Sequence, residues 1–278
     1  MILCLMDLDI SVFLIVCPLV FTAGLIDSIA GGGGLISLPA YLMAGIPPQI
    51  ALGTNKLSSI AGTATASIRY YKNKYVDLML CLPSIAAALA GSALGSSLAL
   101  YTSEKIIRWI LLVIIPFTAF YVFRNKNLEN VSSNLSRART IIYSAVISFF
   151  IGGYDGFSGP GTGTFLILLY NGIAKIDSRI AGGNAKLINF SSNLSALIIF
   201  LLNRRVIVPL GLCAALFNMF GAYIGSGLVI KKGTRIIRYT ILLILAVIFI
   251  KMLWDTAVSH LLSGAAFQQA EKMLSCFS

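Results

Sequence analysis

Two lysines lie inside stretches that are otherwise apolar enough for a membrane interior. Lys56 belongs to "ALGTNKLSSIAGT", residues 51–63, and Lys186 belongs to "AGGNAKLINFSSN", residues 181–193. A charged side chain near the middle of a membrane costs about 2.5–3.5 kcal/mol on insertion scales, and such residues mark binding sites and ion pathways. The two lysines are therefore the first candidates for a site that binds an anion.

Each lysine begins a stripe of polar side chains with helical spacing. Side chains three and seven residues apart share one face of a helix. The first stripe continues with Ser59 and Thr63, and the second with Asn189 and Asn193. The alternative is that both lysines snorkel to the membrane interface, but snorkelling needs no polar neighbours. The repeated stripe therefore favours a binding role.

Glycine-rich segments break two other apolar stretches, and an acid precedes each break. Asp27 precedes "AGGGGL" and Asp155 precedes "GFSGPGTGT". Where a half-helix starts after such a break, free N–H groups and the positive end of the helix dipole form an anion-binding geometry. The role of the two acids stays open between pairing with the lysines, relaying protons and hydrogen bonding to the broken backbone.

The composition places these features in a membrane. The 278 residues are 58% hydrophobic and 11% charged, with a mean hydropathy of +0.89. A soluble domain has about 25% charged residues. The net charge of +11 comes from lysines and arginines in short gaps between apolar runs, as in loops that follow the positive-inside rule. We expect a multi-pass protein of the cell membrane that does not bind nucleic acid.

The apolar runs predict an all-α protein. The uninterrupted candidate spans are 50–71, 77–100, 104–123, 180–202, 207–230 and 234–254, and the interrupted regions are 8–44 and 140–171. The pieces after the breaks, 35–44 and 163–171, are too short to cross a bilayer, which needs about 20 residues. We expect a glycine-broken or re-entrant helix in each interrupted region.

The chain consists of two homologous halves. A shift of 130 positions places Gly53 on Gly183 and Lys56 on Lys186, while a shift of 128 places Asp27 on Asp155. The predicted organisation is a first membrane repeat (1–123), a polar linker (124–139), a second membrane repeat (140–254) and a C-terminal tail (255–278).

The orientation of the repeats depends on the breaks. If each break is a re-entrant hairpin, each half crosses three times and the repeats are inverted; if each crosses fully, the repeats are parallel. Inversion puts the basic gaps 69–77, 124–139 and 231–238 on one side, with Arg204 and Arg205 as the exception. Inverted repeats with discontinuous helices are typical of secondary transporters, and we favour this arrangement.

These motifs and the repeat resemble the sulfite exporter TauE/SafE family, also called the toluene sulfonate uptake permease family. The resemblance covers residues 10–254 and is carried by "GLIDSIAGGGGLISLPAYLMAGIPPQIALGTNKLSS" and "AGGNAKLINFSSN". It implies about eight transmembrane segments in two related halves. It also implies transport of sulfite, sulfonates or related organosulfur anions across the bacterial cytoplasmic membrane. The "SGPGTGT" segment departs from the plainer glycine run of the family.

The predicted substrate-binding residues combine the motifs and the resemblance. They are Gly31, Gly32, Gly33, Gly34, Thr54, Asn55, Lys56, Ser59, Gly161, Thr162, Gly163, Asn184, Lys186, Asn189 and Asn193, with Asp27 and Asp155 as a proton relay or as ion-pair partners. No catalytic residue, metal site or cofactor is predicted, because the single histidine and five scattered cysteines have no ligand spacing. The "GPGTGT" segment also lacks the GK[ST] ending of a P-loop.

The predicted function is secondary transport of a small organosulfur oxyanion by alternating access. The expected partners are that anion and the lipid bilayer, and a homo-oligomer stays open. The alternatives are a proton-coupled carrier of another small solute, a cation carrier that uses the two acids, and the membrane subunit of a larger complex. An enzyme is not expected, because the apolar runs contain no nucleophile–base pair.

Overall fold

The computed structural model describes residues 9–103, 106 and 135–232, and this part of the chain contains eight α-helices and no strand. The helices are α1 (Ile10–Ala30), α2 (Gly34–Met43), α3 (Pro48–Lys72), α4 (Leu78–Tyr101), α5 (Arg137–Phe157), α6 (Thr162–Gly172), α7 (Ser178–Leu202) and α8 (Val208–Lys232).

Helix positions follow the apolar runs closely. Within the described residues, five helices are long and apolar enough to cross a membrane: α1, α4, α5, α7 and α8. Helix α3 has 25 residues, but its polar stripe keeps it out of that group. The predicted spans 104–123 and 234–254, most of the linker and the tail lie outside the described residues.

Both glycine-rich segments end a helix, as predicted. Gly31 follows α1 with a φ of 85°, and Gly159 and Gly161 lie between α5 and α6 with φ of 89° and 81°. Side chains rarely adopt this left-handed conformation, so glycine permits the turn at these points. The predicted short pieces are confirmed as helices α2 and α6.

Each short helix returns along the helix that precedes it. In the second half, Tyr154 packs edge-on against Phe165, and Ser148 lies within hydrogen-bond distance of Tyr170. The residue number falls on α5 while it rises on α6, as expected for two antiparallel segments joined by a short turn. In the first half, a side chain at Gly33 would meet the carbonyl oxygen of Ala23 at 2.7 Å. Each half therefore begins with a helical hairpin.

Helices α1, α3 and α8 run in the same direction. Between α1 and α8, the thiols of Cys17 and Cys213 are 3.6 Å apart, and Gly225 lies against Leu25 one helical stretch later. Along α3, Leu57 lies against Gly211 near the start of α8, while the Arg69 guanidinium contacts the Tyr223 carbonyl oxygen near its end. The residue numbers rise together in both pairs.

Helices α4, α5 and α7 form a second parallel set. Gly152 of α5 lies against Ala88 of α4, and further along both helices Gly95 lies against Phe157. Helix α7 runs in the same direction as α4, because Asn184 near the start of α7 accepts from the Asp77 N–H at the start of α4, and further along the Ser92 hydroxyl donates to the Ser192 carbonyl oxygen at 2.6 Å. Close approach at small residues is the usual packing mode of membrane helices.

The two sets run in opposite directions. Near the start of α3, the Thr54 hydroxyl accepts a hydrogen bond from the Ile207 N–H just beyond the end of α7. A side chain at Gly183, near the start of α7, would meet the backbone of Tyr75 beyond the end of α3. Helices α3 and α7 are therefore antiparallel and cross at the centre of the molecule.

Helices of one half pack against helices of the other half. The first helix of each half packs most extensively against the last described helix of the other half, as α1 with α8 and α5 with α4. The turns after α3 and α7 also match, with left-handed Lys74 and Arg204 at corresponding positions. The halves therefore form one interlocked unit around α3 and α7.

Candidate functional site

Two ion pairs cross between the halves at the centre of the molecule. Lys56 on α3 lies 2.8 Å from a carboxylate oxygen of Asp155 on α5, and Lys186 on α7 lies 2.9 Å from a carboxylate oxygen of Asp27 on α1. Only 3% of the Lys56 side chain and 1% of the Lys186 side chain are exposed. Neither ammonium group snorkels to the surface, since each ends on a carboxylate inside the protein.

The two glycine-rich breaks bring these pairs together, because the breaks contact each other. A Cβ atom at residue 31 would overlap the backbone of Gly163 and Thr164. The Thr164 hydroxyl donates to the carbonyl oxygen of Ala30 at 2.7 Å. The lysines lie directly beside the breaks, since a Cβ at Gly159 would be 3.1 Å from the Lys56 nitrogen and one at Gly163 would be 3.2 Å from that of Lys186.

The two carboxylates have different surroundings. Asp155 accepts hydrogen bonds from the Thr162 hydroxyl at 2.8 Å and the Ser192 hydroxyl at 2.7 Å, in addition to its lysine. Asp27 accepts one from the Gly33 N–H at 3.2 Å in addition to Lys186. The Gly33 N–H before α2 therefore binds a carboxylate of the protein itself, and the binding of a substrate anion at the half-helix starts stays a prediction.

A small polar cavity lies beside Lys56 at the contact between the breaks. Ten of the predicted site residues line it: Asp27, Gly31, Gly33, Gly34, Asn55, Lys56, Ser59, Asp155, Asn189 and Asn193. The stripes on α3 and α7 therefore face a common space, as their helical spacing predicted.

Seven predicted residues are not among those that line the cavity: Gly32, Thr54, Gly161, Thr162, Gly163, Asn184 and Lys186. Three of them lie at the ion pairs, since Lys186 binds Asp27, the Thr162 hydroxyl donates to Asp155, and Gly163 lies against Lys186.

Thr54 and Asn184 join the halves at equivalent points. Thr54 accepts from the Ile207 N–H at 3.0 Å, and Asn184 accepts from the Asp77 N–H at 2.9 Å. Both acceptors fix the segment that leads into the last described helix of the other half, α8 for Thr54 and α4 for Asn184.

Four residues that line the cavity were absent from the predicted set: Ser37, Thr63, Gly159 and Asn218. Thr63 and Gly159 had been noted, as the end of the first stripe and as part of the second break. Asn218 could not be found from the repeat, because the corresponding residue is Ala88. The available signal was its amide within the apolar run 212–225, where a polar side chain is unusual.

Within the described residues, no group of three or more histidine, cysteine, aspartate or glutamate side chains could hold a metal ion. The charged side chains of the site are two lysines and two aspartates. Each lysine is paired with an aspartate, which avoids the large cost of a buried charge without a partner.

Comparison with known proteins decides the family. The profile of the sulfite exporter TauE/SafE family matches residues 16–252. The chain belongs to this family. As a TauE/SafE family member it is a membrane transporter and not an enzyme, and it spans the cytoplasmic membrane several times.

Curated relatives of this TauE/SafE member agree with that assignment. It is 36% identical to the probable membrane transporter protein ORF9 of Sinorhizobium sp. over 84% of the chain and 90% of that protein. Identity is 33% with a probable membrane transporter protein of Haemophilus influenzae, over 92% and 100% of the two chains. It is 35% with the probable membrane transporter protein YfcA of Escherichia coli K12, over 84% and 87%. No solved structure matches the chain.

Proposed function

We propose that this transporter carries a small anion, of the sulfite, sulfonate or other organosulfur oxyanion class, across the cytoplasmic membrane by alternating access. The observation that carries the proposal is the pair of buried lysines where two half-helix starts meet beside an amide-lined cavity. Lysine charge, backbone N–H groups and amide N–H groups are the donors that oxyanions require.

The neutral charge balance suggests how the anion enters. In this conformation each lysine is bound to a carboxylate of the other half. An entering oxyanion takes the place of a carboxylate oxygen at a lysine. The displaced carboxylate then moves away or takes up a proton, because a buried carboxylate without a partner is costly. Anion movement is thereby linked to the contact between the halves.

We propose further that the halves are inverted repeats. Supporting this, α3 and α7 correspond in the repeat and run in opposite directions, and the hairpins α1–α2 and α5–α6 begin at opposite ends of the molecule. In this arrangement the hairpins are re-entrant, and the site lies near the midplane as in other secondary transporters. The domain division at 124–139 follows from the same proposal.

The charge distribution supports an orientation. We define the basic end as the end where α3 and α8 finish and α4, α5 and α7 begin. Nine basic residues of the described chain lie there: Arg69, Lys72, Lys74, Arg137, Arg139, Lys175, Arg179, Lys231 and Lys232. Arg204 and Arg205 lie at the opposite end. The basic end therefore faces the cytoplasm.

Uptake into proteoliposomes tests the anion proposal. The substrates are labelled sulfite, sulfate, thiosulfate, sulfoacetate and taurine. Lys56→Gln/Asp155→Asn and Lys186→Gln/Asp27→Asn each remove a whole ion pair, so that no buried charge is left alone. We expect the wild type to transport at least one anion of the panel and each paired variant to lose that transport. Full anion transport by both variants would contradict the proposal that the two lysines bind the anion.

A second candidate function is proton-coupled transport of an uncharged or zwitterionic solute. It is favoured by the equal number of acids and lysines at the centre. Under this alternative, uptake of taurine depends on the proton gradient and is not inhibited by sulfite. Under the anion proposal, sulfite competes.

Thiol labelling tests the inverted arrangement. Lys74 and Arg204 occupy corresponding exposed turns. On a cysteine-free background, Lys74→Cys is expected to react from the cytoplasmic side and Arg204→Cys from the opposite side. Labelling of both from one side would contradict inversion.

A further inference from the structure

The two repeats contribute unequally to the lining of the cavity. It is lined mostly by the first hairpin, by α3 and by α8. The corresponding positions of the second hairpin, α7 and α4 surround Lys186. At three positions the counterpart of a polar lining residue is apolar. Ser37, Asn55 and Asn218 correspond to Phe165, Ala185 and Ala88.

Asn218 depends on glycine at two facing positions. A Cβ atom at Gly62 would overlap the Asn218 amide oxygen, and a Cβ at Gly24 would overlap its backbone carbonyl. The amide is buried, with 4% of the residue exposed, and donates to the Val20 carbonyl oxygen at 3.3 Å. In the other half, Gly62 is replaced by Ser192. Two helices therefore leave room for an amide at this one place.

Asn55 supplies a second amide with unused hydrogen-bonding capacity. Its side-chain oxygen is buried, with 7% of the residue exposed, and has no hydrogen-bond partner among the described residues. Exchange of the amide oxygen and nitrogen is a matter of assignment, and the exchanged assignment makes the unpartnered atom an NH2 donor, which an oxyanion requires. A buried polar atom without a partner costs about 1–3 kcal/mol, and a bound ligand would remove that cost.

We infer that the cavity beside Lys56 is the substrate pocket and that Asn55 and Asn218 determine its selectivity. The inference rests on the proposed function. Lys56 supplies the charge, while the two amides donate to the oxygens of a small oxyanion. An acceptor-rich sulfite or sulfonate group fits this donor set. The corresponding space beside Lys186 serves as a structural contact, since Phe165, Ala185 and Ala88 offer no side-chain donors.

Binding measurements on the purified transporter test this assignment with sulfite and taurine as probes. Asn218→Ala and Asn55→Ala are expected to weaken the binding of the preferred probe about 10-fold or more. They are also expected to change the ratio of the two dissociation constants. Asn218→Leu keeps the volume of the side chain and covers the case in which the alanine variant does not fold.

Gln49→Ala is the matched control. Gln49 is also a buried amide that joins two helices, through Nε2 bonds to the carbonyl oxygens of Leu100 and Thr102, but it does not line the cavity. It is expected to lower stability and leave the binding ratio unchanged.

The outcomes separate this inference from the proposed function. If the wild type binds sulfite or taurine and both Asn218 variants bind with unchanged constants, the pocket assignment is overturned while the anion proposal stands. If Gln49→Ala changes the ratio as much as Asn218→Leu does, the effect is general and the assignment is also overturned. If the wild type binds neither these probes nor any other anion of the panel, the proposed function fails and the inference fails with it.

Discussion

The two central ion pairs have the same chemistry and different surroundings. Lys56 and Asp155 are each 3% exposed, and Asp155 has two hydroxyl donors besides its lysine. In the other pair, Asp27 is 17% exposed and its further donor is a backbone N–H. A duplicated pair has therefore become one enclosed pair, Lys56 with Asp155, and one more open pair, Asp27 with Lys186, and both pairs contribute to the lining of the cavity. The comparison suggests that the two hydroxyl donors hold Asp155 in place when an anion binds Lys56, while the Asp27 carboxylate, which has fewer donors, moves more easily.

The difference follows from two substitutions between the repeats. Thr162, which binds Asp155, corresponds to Gly34, and Ser192 corresponds to Gly62. Each loss of a hydroxyl in the first half leaves space that the cavity or Asn218 occupies. The same two positions thus stabilise one acid and open the pocket beside the other.

The largest expected effect is a difference in the free energy of unfolding between the variants of the two acids. Asp155→Ala leaves the Lys56 ammonium buried without a carboxylate, which costs about 3–5 kcal/mol. Asp27→Ala is expected to cost less, because 17% of the Asp27 side chain is exposed, so that water can take the place of its carboxylate beside Lys186. The measurement is the free energy of unfolding in mixed detergent micelles. An equal loss of unfolding free energy in both variants would contradict the proposed difference between the two ion pairs.

The control for this prediction removes the stranded charge. Asp155→Asn/Lys56→Gln is expected to recover part of the stability that Asp155→Ala loses, since no unpaired buried charge remains. No recovery would mean that Asp155 acts through its hydroxyl donors and not through Lys56.

The next effect concerns the contact between the two breaks. Gly31→Ala places a Cβ atom where the Gly163 backbone lies, in a left-handed conformation. We expect loss of transport and a destabilisation of about 1–3 kcal/mol from overpacking, beyond the backbone strain. Gly45→Ala is the matched control, because Gly45 has a φ of 80° and nothing lies within 4 Å of its Cβ position. Equal effects would show that strain alone is responsible.

A smaller effect tests which residues are paired. Double-mutant cycles in stability are expected to give coupling energies of about 0.5–3 kcal/mol for Asp27 with Lys186 and for Asp155 with Lys56. The cycle for Asp27 with Lys56 is expected to give a lower value, because these residues share no ion pair. A larger coupling for the latter would contradict the exchange of partners between the halves.

The sequence predicted the elements well because membrane helices leave a strong apolar signal. Composition, glycine placement and spacing predicted the broken helices, the polar stripes and the location of Lys56 and Lys186 inside the protein. The resemblance to the TauE/SafE family was likewise confirmed.

The partners of the acids could not be predicted, because sequence order does not show which helices pack together. Pairing within a half, Asp27 with Lys56, was as reasonable as pairing between halves until α1 was seen beside α8 and the breaks in contact. The role of Thr54 was hidden for the same reason, since its partner Ile207 lies in the other half. Asn218 was missed because comparing the repeats finds only residues that both halves have in common. The counterpart of Asn218 is Ala88, so this position differs between the halves.

The smallest expected effect concerns the hydroxyl that distinguishes the two acids. Ser192→Ala removes one donor from Asp155 and leaves Thr162 and Lys56 in place, so we expect a loss of about 1 kcal/mol in unfolding free energy. Ser191→Ala is the control, since that neighbouring hydroxyl donates only to the carbonyl oxygen of Leu187 within α7. The control is expected to change stability less.

The same variant shows whether hydroxyl donors hold Asp155 of the enclosed pair in place. With Ser192 gone, the surroundings of Asp155 become more like those of Asp27. Transport is then expected to continue with altered kinetics. The reverse change, Gly62→Ser, cannot make Asp27 resemble Asp155 without displacing Asn218, because a Cβ at residue 62 overlaps that amide. The Ser192 hydroxyl in one half and the Asn218 amide in the other therefore fill corresponding spaces between the helices. If Ser192→Ala affects neither stability nor transport, the enclosed pair owes its difference to burial alone.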